Sequence, residues 1–191
     1  MTFFKRTMYY LRLLVKGKAN LFKILDEEAS VYYDKCDYIE AKHEAIVFSL
    51  MVANISCEIY EQVIYGFRNK LKDEMLDPNA IRAMYRVNIM YFYVKMSYDF
   101  PYQWESVKNY NLKGFLHLST QEKRKLSNFL TMMELSPSTF EFEFLKYYSK
   151  VVFKQDVLSP YIVAMAGNIL YNSYEGFVED FTMHMRQIKI A

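Results

Sequence analysis

The 191-residue chain is short of the residues that punctuate and cross-link proteins: five glycines, four prolines, two cysteines, three histidines and one tryptophan. So few glycines and prolines leave little material for tight turns, which disfavours a many-stranded sandwich or barrel. No Asn-Gly or Asp-Gly pair separates alternating apolar runs, so no hairpin is signalled. Scattered glycines cannot cradle a phosphate, and the Walker, G-x-G-x-x-G, G-x-S-x-G and H-E-x-x-H patterns are all missing. Cys36 and Cys57 stand 21 positions apart without a C-x-x-C neighbour. That spacing argues against a disulfide scaffold and a zinc site, and for two reduced thiols in the cytoplasm.

Long apolar runs are missing too. The longest uncharged stretch, 157–174, has 18 residues but contains Ser159, Pro160, Asn168, Asn172 and Ser173. The next, 45–57, has 13 residues, too few to cross a bilayer. Near the N-terminus Arg12 and Lys16 interrupt the apolar residues and no small-residue cleavage site follows, so no signal peptide is read. A soluble chain with at least two buried helices is expected from these two runs.

What is present is apolar and aromatic. Hydrophobic residues make up 52% and charged residues 24%, a balance that excludes disorder. There are 18 tyrosines and 15 phenylalanines. Tyrosine-rich surfaces bind well, because each ring offers area at small entropic cost. Aromatics equally fill ordinary cores. Heavy use of Tyr, Phe, Lys, Ile and Asn also fits the A/T-rich coding of bacterial or viral accessory proteins.

The punctuation that remains is helical. Asp77-Pro78 and Ser159-Pro160 each set a capping side chain before a proline at the first helical position. Asp37 with Glu40, Ser119 with Glu122, and Ser138 with Glu141 have capping-box spacing. Apolar residues recur at Ile81, Tyr85, Ile89, Phe92 and Met96, then at Ile162, Met165, Ile169, Phe177, Phe181 and Ile188, which is the helical period. The pattern predicts helices over 2–16, 19–33, 38–74, 78–98, 120–133, 139–154 and 160–188. The third has a candidate bend near Gly66. Residues 99–118, with Pro101, Trp104 and Gly114, show no period and read as one long irregular loop. The fold class is therefore all-α: a single compact domain of about seven helices, as a bundle or an orthogonal array. Within it, residues 1–18 form a semi-independent basic amphipathic element. Gly167, beside Ala164 and Ala166, is a place where another helix can approach closely.

A net charge of only +2 hides a strong segregation. Residues 1–25 carry six bases and no acid; 26–77 carry twelve acids against five bases; 78–125 carry eight bases against three acids. On helix 2–16, Lys5, Tyr9, Arg12 and Lys16 share one face, while Phe4, Met8, Leu11 and Val15 share another. Three roles compete for that basic face. It can lie over the acidic 26–77 segment of the same fold, its lysine stems on the core. It can dock a partner, protein or anionic. Or it can rest on an anionic membrane surface. Nucleic acid fits worst, because the chain as a whole is not basic and holds no reading motif.

Chemistry is thinly represented. Glu40 and His43 form a Glu-x-x-His pair, half of a ferritin-like di-metal signature, but no second pair exists. Asp180 with His184, four apart, is a substitute, and Glu44, Glu58 and Glu61 are spare carboxylates. Cys57 sits in an apolar run that keeps a thiol inert, and Cys36 lies between Asp34 and Asp37, which disfavour a thiolate. No catalytic residue and no cofactor is assigned. The expected function is binding of another protein, of the inhibitor, immunity or adaptor kind, through a helical basic and aromatic face. The residues chosen for it are Lys5, Arg6, Tyr9, Arg12 and Lys16, with Tyr102, Trp104 and Tyr110 as a second patch. The alternatives are a metal-binding helical enzyme built on Glu40, His43, Asp180 and His184, and a peripheral membrane-surface protein attached by helix 2–16.

Overall fold

The computed structural model describes residues 20–31, 34, 39–66, 77–99, 118–152 and 160–190. Among them it contains six helices and no strand: α1 (20–31), α2 (Ile39–Gly66), α3 (Pro78–Asp99), α4 (Thr120–Leu135), α5 (Pro137–Val152) and α6 (Pro160–Ile190). The all-α expectation holds, and each described helix lies within a few residues of its predicted span, except that α2, predicted to residue 74, is described only as far as Gly66, where the bend was expected. Helix 2–16 and loop 99–118, with Tyr102, Trp104 and Tyr110, lie outside the described residues apart from Asp99 and Leu118.

Local chemistry explains where the helices begin. Asp77 caps α3: its Oδ1 accepts from the Asn79 amide at 3.2 Å, and its carbonyl accepts from Ala80 and Ile81. Ser119 and Glu122 close the expected box at the start of α4, the Ser119 amide donating to Glu122 Oε2 at 2.8 Å. The box expected at Ser138 and Glu141 does not form. Pro137 already occupies the first turn of α5, so Ser138 lies inside the helix. Ser136 ends α4, its amide donating to the Met132 carbonyl, and its hydroxyl lies 2.9 Å from Thr139 Oγ1. Glu141 turns to α3 instead. The box expected at Asp37 lies outside the described residues.

α3 is the axle of the fold. It packs on α2, α4 and α5; α6 packs on α2 and α5; and α4 pairs with α5 across their short turn. From Val87 to Val94 every residue of α3 is buried. The shorter uncharged run, 45–57, gives the buried middle of α2, exposed only at Asn54; the expectation from the longer run is corrected. The stretch enclosed on all sides is the middle of α3, whose flanking charges Arg82, Arg86 and Lys95 reach partners at its edges. The long uncharged run instead gives α6 one buried face, with Ile169, Leu170, Tyr174, Phe177 and Phe181 inward and Tyr171, Asn172 and Gly176 outward. α2 buries Phe48, Val52, Ile59 and Tyr60, and Cys57 is buried among them.

The core is aromatic. Phe144 lies 5.0 Å from Tyr91 and 5.2 Å from Phe129 between ring centroids, and Phe177 lies 4.9 Å from Phe92 and 5.5 Å from Phe48. These four pairs are tilted or edge-on, geometries that place positive edges against negative faces, while Tyr91–Phe140 and Phe177–Phe181 are stacked. Of the two readings of the aromatic content, packing takes most of the described rings. Gly167 meets the expected close approach: a methyl added there would stand 3.4 Å from Leu145 Cδ1 of α5.

Candidate functional site

Three groups of polar side chains stand out. At the first, α1 is tied to α3. Arg86 Nε donates to Glu28 Oε1 at 2.6 Å, Arg82 Nε lies 3.6 Å from Glu28 Oε2, and Arg82 also reaches Glu27. Glu28 is 7% exposed, so this carboxylate is held nearly dry and both arginines are drawn to it. The acids of 26–77 thus meet bases of 78–125 within the fold, which accounts for part of the charge segregation.

The second group joins α3, α5 and α6. Tyr91, Lys95 and Asp99 stand one turn apart along α3. Tyr91 Oη donates to Glu141 of α5 at 3.3 Å, Lys95 Nζ lies 3.4 Å from the same carboxylate, and Tyr174 of α6 donates to Asp99. The Lys95 ammonium sits 5.3 Å from the centre of the Tyr174 ring. Burial, then the neighbouring Glu141 carboxylate, pushes the Tyr91 phenol far above its ordinary value; burial and the hydrogen bond to Asp99 do the same for Tyr174. Both phenols stay protonated at neutral pH. They donate hydrogen bonds and are unsuited to act as bases.

The third lies within the core between α2 and α3. Asn88 Nδ2 donates to Ser56 Oγ at 2.9 Å, Ser56 Oγ donates to the Val52 carbonyl, and Tyr85 Oη donates to the Ser49 carbonyl at 3.1 Å. These bonds lock the register of two buried helices.

Comparison with protein-family models, with curated proteins and with solved structures finds no match to this chain. The geometry has to carry the functional reading.

Against these paired groups stands an open groove. It runs between α2 and α6 and is closed at one side by Phe22 of α1, with a volume of about 630 Å³. Its floor is Met51, Ile55 and Phe177; Glu58 and Asp180 stand on its rim. A second hollow of about 480 Å³, between α1 and α2, shares Phe22 and Asn54 with it and adds Asp26. Phe22 is 50% exposed at their junction. A large apolar ring left half in water beside a hollow is a feature of binding surfaces.

Of the residues singled out from the sequence, Asp180 is described and exposed, and it shares the groove with the spare carboxylate Glu58. The side chains of Glu40, His43 and His184 lie outside the described residues, as do Lys5, Arg6, Tyr9, Arg12 and Lys16. Among the described residues no three His, Cys, Asp or Glu side chains gather as a metal site, and no helix is long and apolar enough to cross a membrane. Sequence reasoning missed both Phe22 and the α3–α5–α6 network. The four-residue spacing of Tyr91, Lys95 and Asp99 was a visible signal for the network; nothing in the sequence pairs Glu58 with Asp180.

Proposed function

We propose that the chain is a non-catalytic helical protein that binds another macromolecule, a protein in the first place, in the manner of an inhibitor, immunity protein or adaptor. The observation that carries this reading is the contrast in how side chains are used. Glu28, Arg82, Arg86, Lys95 and Glu141 are committed to pairs that join helices, while Phe22 and the groove beside it stay open to solvent. The partner-facing residues remain those of the basic face, Lys5, Arg6, Tyr9, Arg12 and Lys16, with the aromatic patch Tyr102, Trp104 and Tyr110. Charge on a rim steers encounter and aromatic rings anchor the complex. The cytoplasm is the compartment proposed.

The test is quantitative capture of partners from the native host, with the full chain and a Lys5→Glu/Arg12→Glu/Lys16→Glu variant compared side by side. A single partner recovered in stoichiometric amount, and reduced at least tenfold by the variant, supports the reading. Equal recovery with both removes the basic face as the site. Stoichiometric bound metal that is lost in His43→Ala replaces the proposal with a metal enzyme. Salt-sensitive sedimentation with anionic vesicles replaces it with a membrane-surface role.

A further inference from the structure

The α2–α6 groove is lined by two helical stripes of equal length. Met51, Ile55 and Glu58 recur along α2 at steps of four and three, and Ser173, Phe177 and Asp180 recur along α6 at the same steps. Each stripe therefore rises about 10.5 Å, two turns of helix. Met183, 53% exposed, continues the α6 stripe one turn past Asp180. Two ridges with a hollow of about 630 Å³ between them, walled by half-exposed Phe22, make a surface on which a third helix can pack.

The charge of the groove selects the partner. Glu58 and Asp180 are exposed on its rim; among the described residues that line it no side chain is basic, and neither carboxylate stands in an ion pair with a described residue. The adjoining α1–α2 hollow does not offset them. It carries Asp26 and Lys23, one charge of each sign, and Lys23 lies 3.9 Å from Glu27. An acidic helix would set like charges together at this rim. A helix with apolar residues at four- and three-residue steps and Lys or Arg on its flanks meets both the floor and the rim. Gly176 leaves room for it: the glycine lines the groove, and among the described residues nothing lies within 4 Å of where its methyl would stand. Bare backbone at that point permits a close approach.

We propose that the α2–α6 groove docks a basic amphipathic helix of another protein, with the helix's apolar residues on Met51, Ile55 and Phe177 and its Lys or Arg side chains at Glu58 and Asp180. This docking face is separate from the basic face proposed above. It takes a partner of the opposite charge, and it stands or falls without that reading.

Fluorescence anisotropy of the full chain with three labelled synthetic peptides, each about 15 residues long, tests this. One is an amphipathic helix of Leu and Lys, the second has Glu in place of Lys, and the third scrambles the Leu/Lys composition so that no apolar face forms. At about 0.15 M salt, where long-range attraction is screened, the Leu/Lys helix is expected to bind about tenfold or more tightly than either of the others, with a Kd of about 10 μM or below. Gly176→Leu, which fills the open space, is expected to weaken that binding about tenfold without lowering the melting temperature. Glu58→Lys/Asp180→Lys is expected to transfer the preference to the Leu/Glu peptide. Glu134→Lys/Glu143→Lys, the same change of charge on α4 and α5, is expected to leave binding within about twofold. A Leu/Lys helix that binds no better than the scrambled peptide overturns the proposal. So does binding that Gly176→Leu and the groove charge reversal leave untouched, which places the peptide elsewhere. A wild-type dimer that Gly176→Leu dissociates also overturns it, in favour of a second copy of the chain as the occupant.

Discussion

At Gly167, on the side of α6 that faces α5, a missing side chain is replaced by Leu145 of the neighbouring helix. At Gly176, nine positions further on and facing the groove, nothing replaces it. Both glycines weaken the same helix by the same mechanism, yet only the first is repaid by close packing. The two sides differ throughout. Toward α3 and α5 lie Tyr91, Phe144, Tyr174 and paired charges; toward α1 and α2 lie an exposed phenylalanine and two carboxylates with no cation beside them among the described residues. One side is built to hold the fold together, and the other is left incomplete at a cost in stability.

The sharpest way to break that comparison is to remove a ring from each side. Phe144 is fully buried among Tyr91, Phe129, Phe140 and Tyr148. Phe144→Ala is expected to cost about 3–5 kcal/mol, the transfer loss plus a cavity that rigid aromatic neighbours cannot close. Phe22→Ala, at a half-exposed ring, should stay near 1 kcal/mol or below. Urea denaturation of both variants measures the difference. Similar losses at the two positions would mean that Phe22 is a core residue and that the groove is not open.

Alkaline titration probes the buried phenols as a group. Burial pushes Tyr60 up to about 12 and Tyr93 and Tyr148 higher; in Tyr91 and Tyr174 burial is joined by carboxylate partners. These phenols keep their protons in the folded chain after the unfolded chain has begun to lose them near pH 10. The unfolded state then binds fewer protons than the folded one, so stability falls as pH rises. It is fully present below about pH 10 and declines from there through pH 12 and beyond, at up to about 1.4 kcal/mol per pH unit for each tyrosine held back. Denaturation midpoints across that range, with tyrosinate absorbance as a second readout, test it. A flat profile above pH 10 would show that water reaches these hydroxyls.

The sealed side was also the more legible in the sequence. Helices show as a 3.6-residue recurrence, and caps such as Asp77-Pro78 and Ser119 with Glu122 are local signals that need no tertiary partner. What failed was whatever depended on a neighbour. Ser138 had the spacing of a cap, but Pro137 had already started the helix and Glu141 had a better partner in Lys95. The fully buried stretch 87–94 of α3 was disguised by the flanking Arg82, Arg86 and Lys95, whose heads leave the core. The groove was illegible for the same reason. Glu58 and Asp180 are 122 residues apart, and only the packing of α2 on α6 brings them to one rim.

A smaller effect separates structural from unpaired carboxylates. Glu28→Gln keeps the shape but removes the charge that Arg82 and Arg86 reach for. Those arginines are 36% and 42% exposed and recover part of their hydration, so a loss of about 1–2 kcal/mol is expected rather than the larger penalty of stranding a buried ion. Glu58→Gln and Asp180→Asn, on exposed residues, should change stability by less than about 0.5 kcal/mol. A thermal-melt series on the three variants gives the ranking. A costly Glu58→Gln would assign the groove's rim to the fold instead of to whatever fills it.

The finest distinction is one methyl group at each glycine. Gly176→Ala removes the backbone freedom of the unfolded chain and adds a methyl to open space, so it should raise stability by about 0.5–1 kcal/mol. Gly167→Ala gains the same entropy, but its methyl meets Leu145 Cδ1 at 3.4 Å. That leucine has to hold its place in a packed interface, so the gain should be smaller than at Gly176. Differential melting of the two single variants settles the order. If Gly167→Ala stabilises as much as Gly176→Ala, the α5–α6 contact has slack and the sealed side is less tight than its partner atoms imply. A destabilising Gly176→Ala has the opposite meaning: the space above that backbone is already occupied in solution, and the occupant is close enough to notice a single carbon.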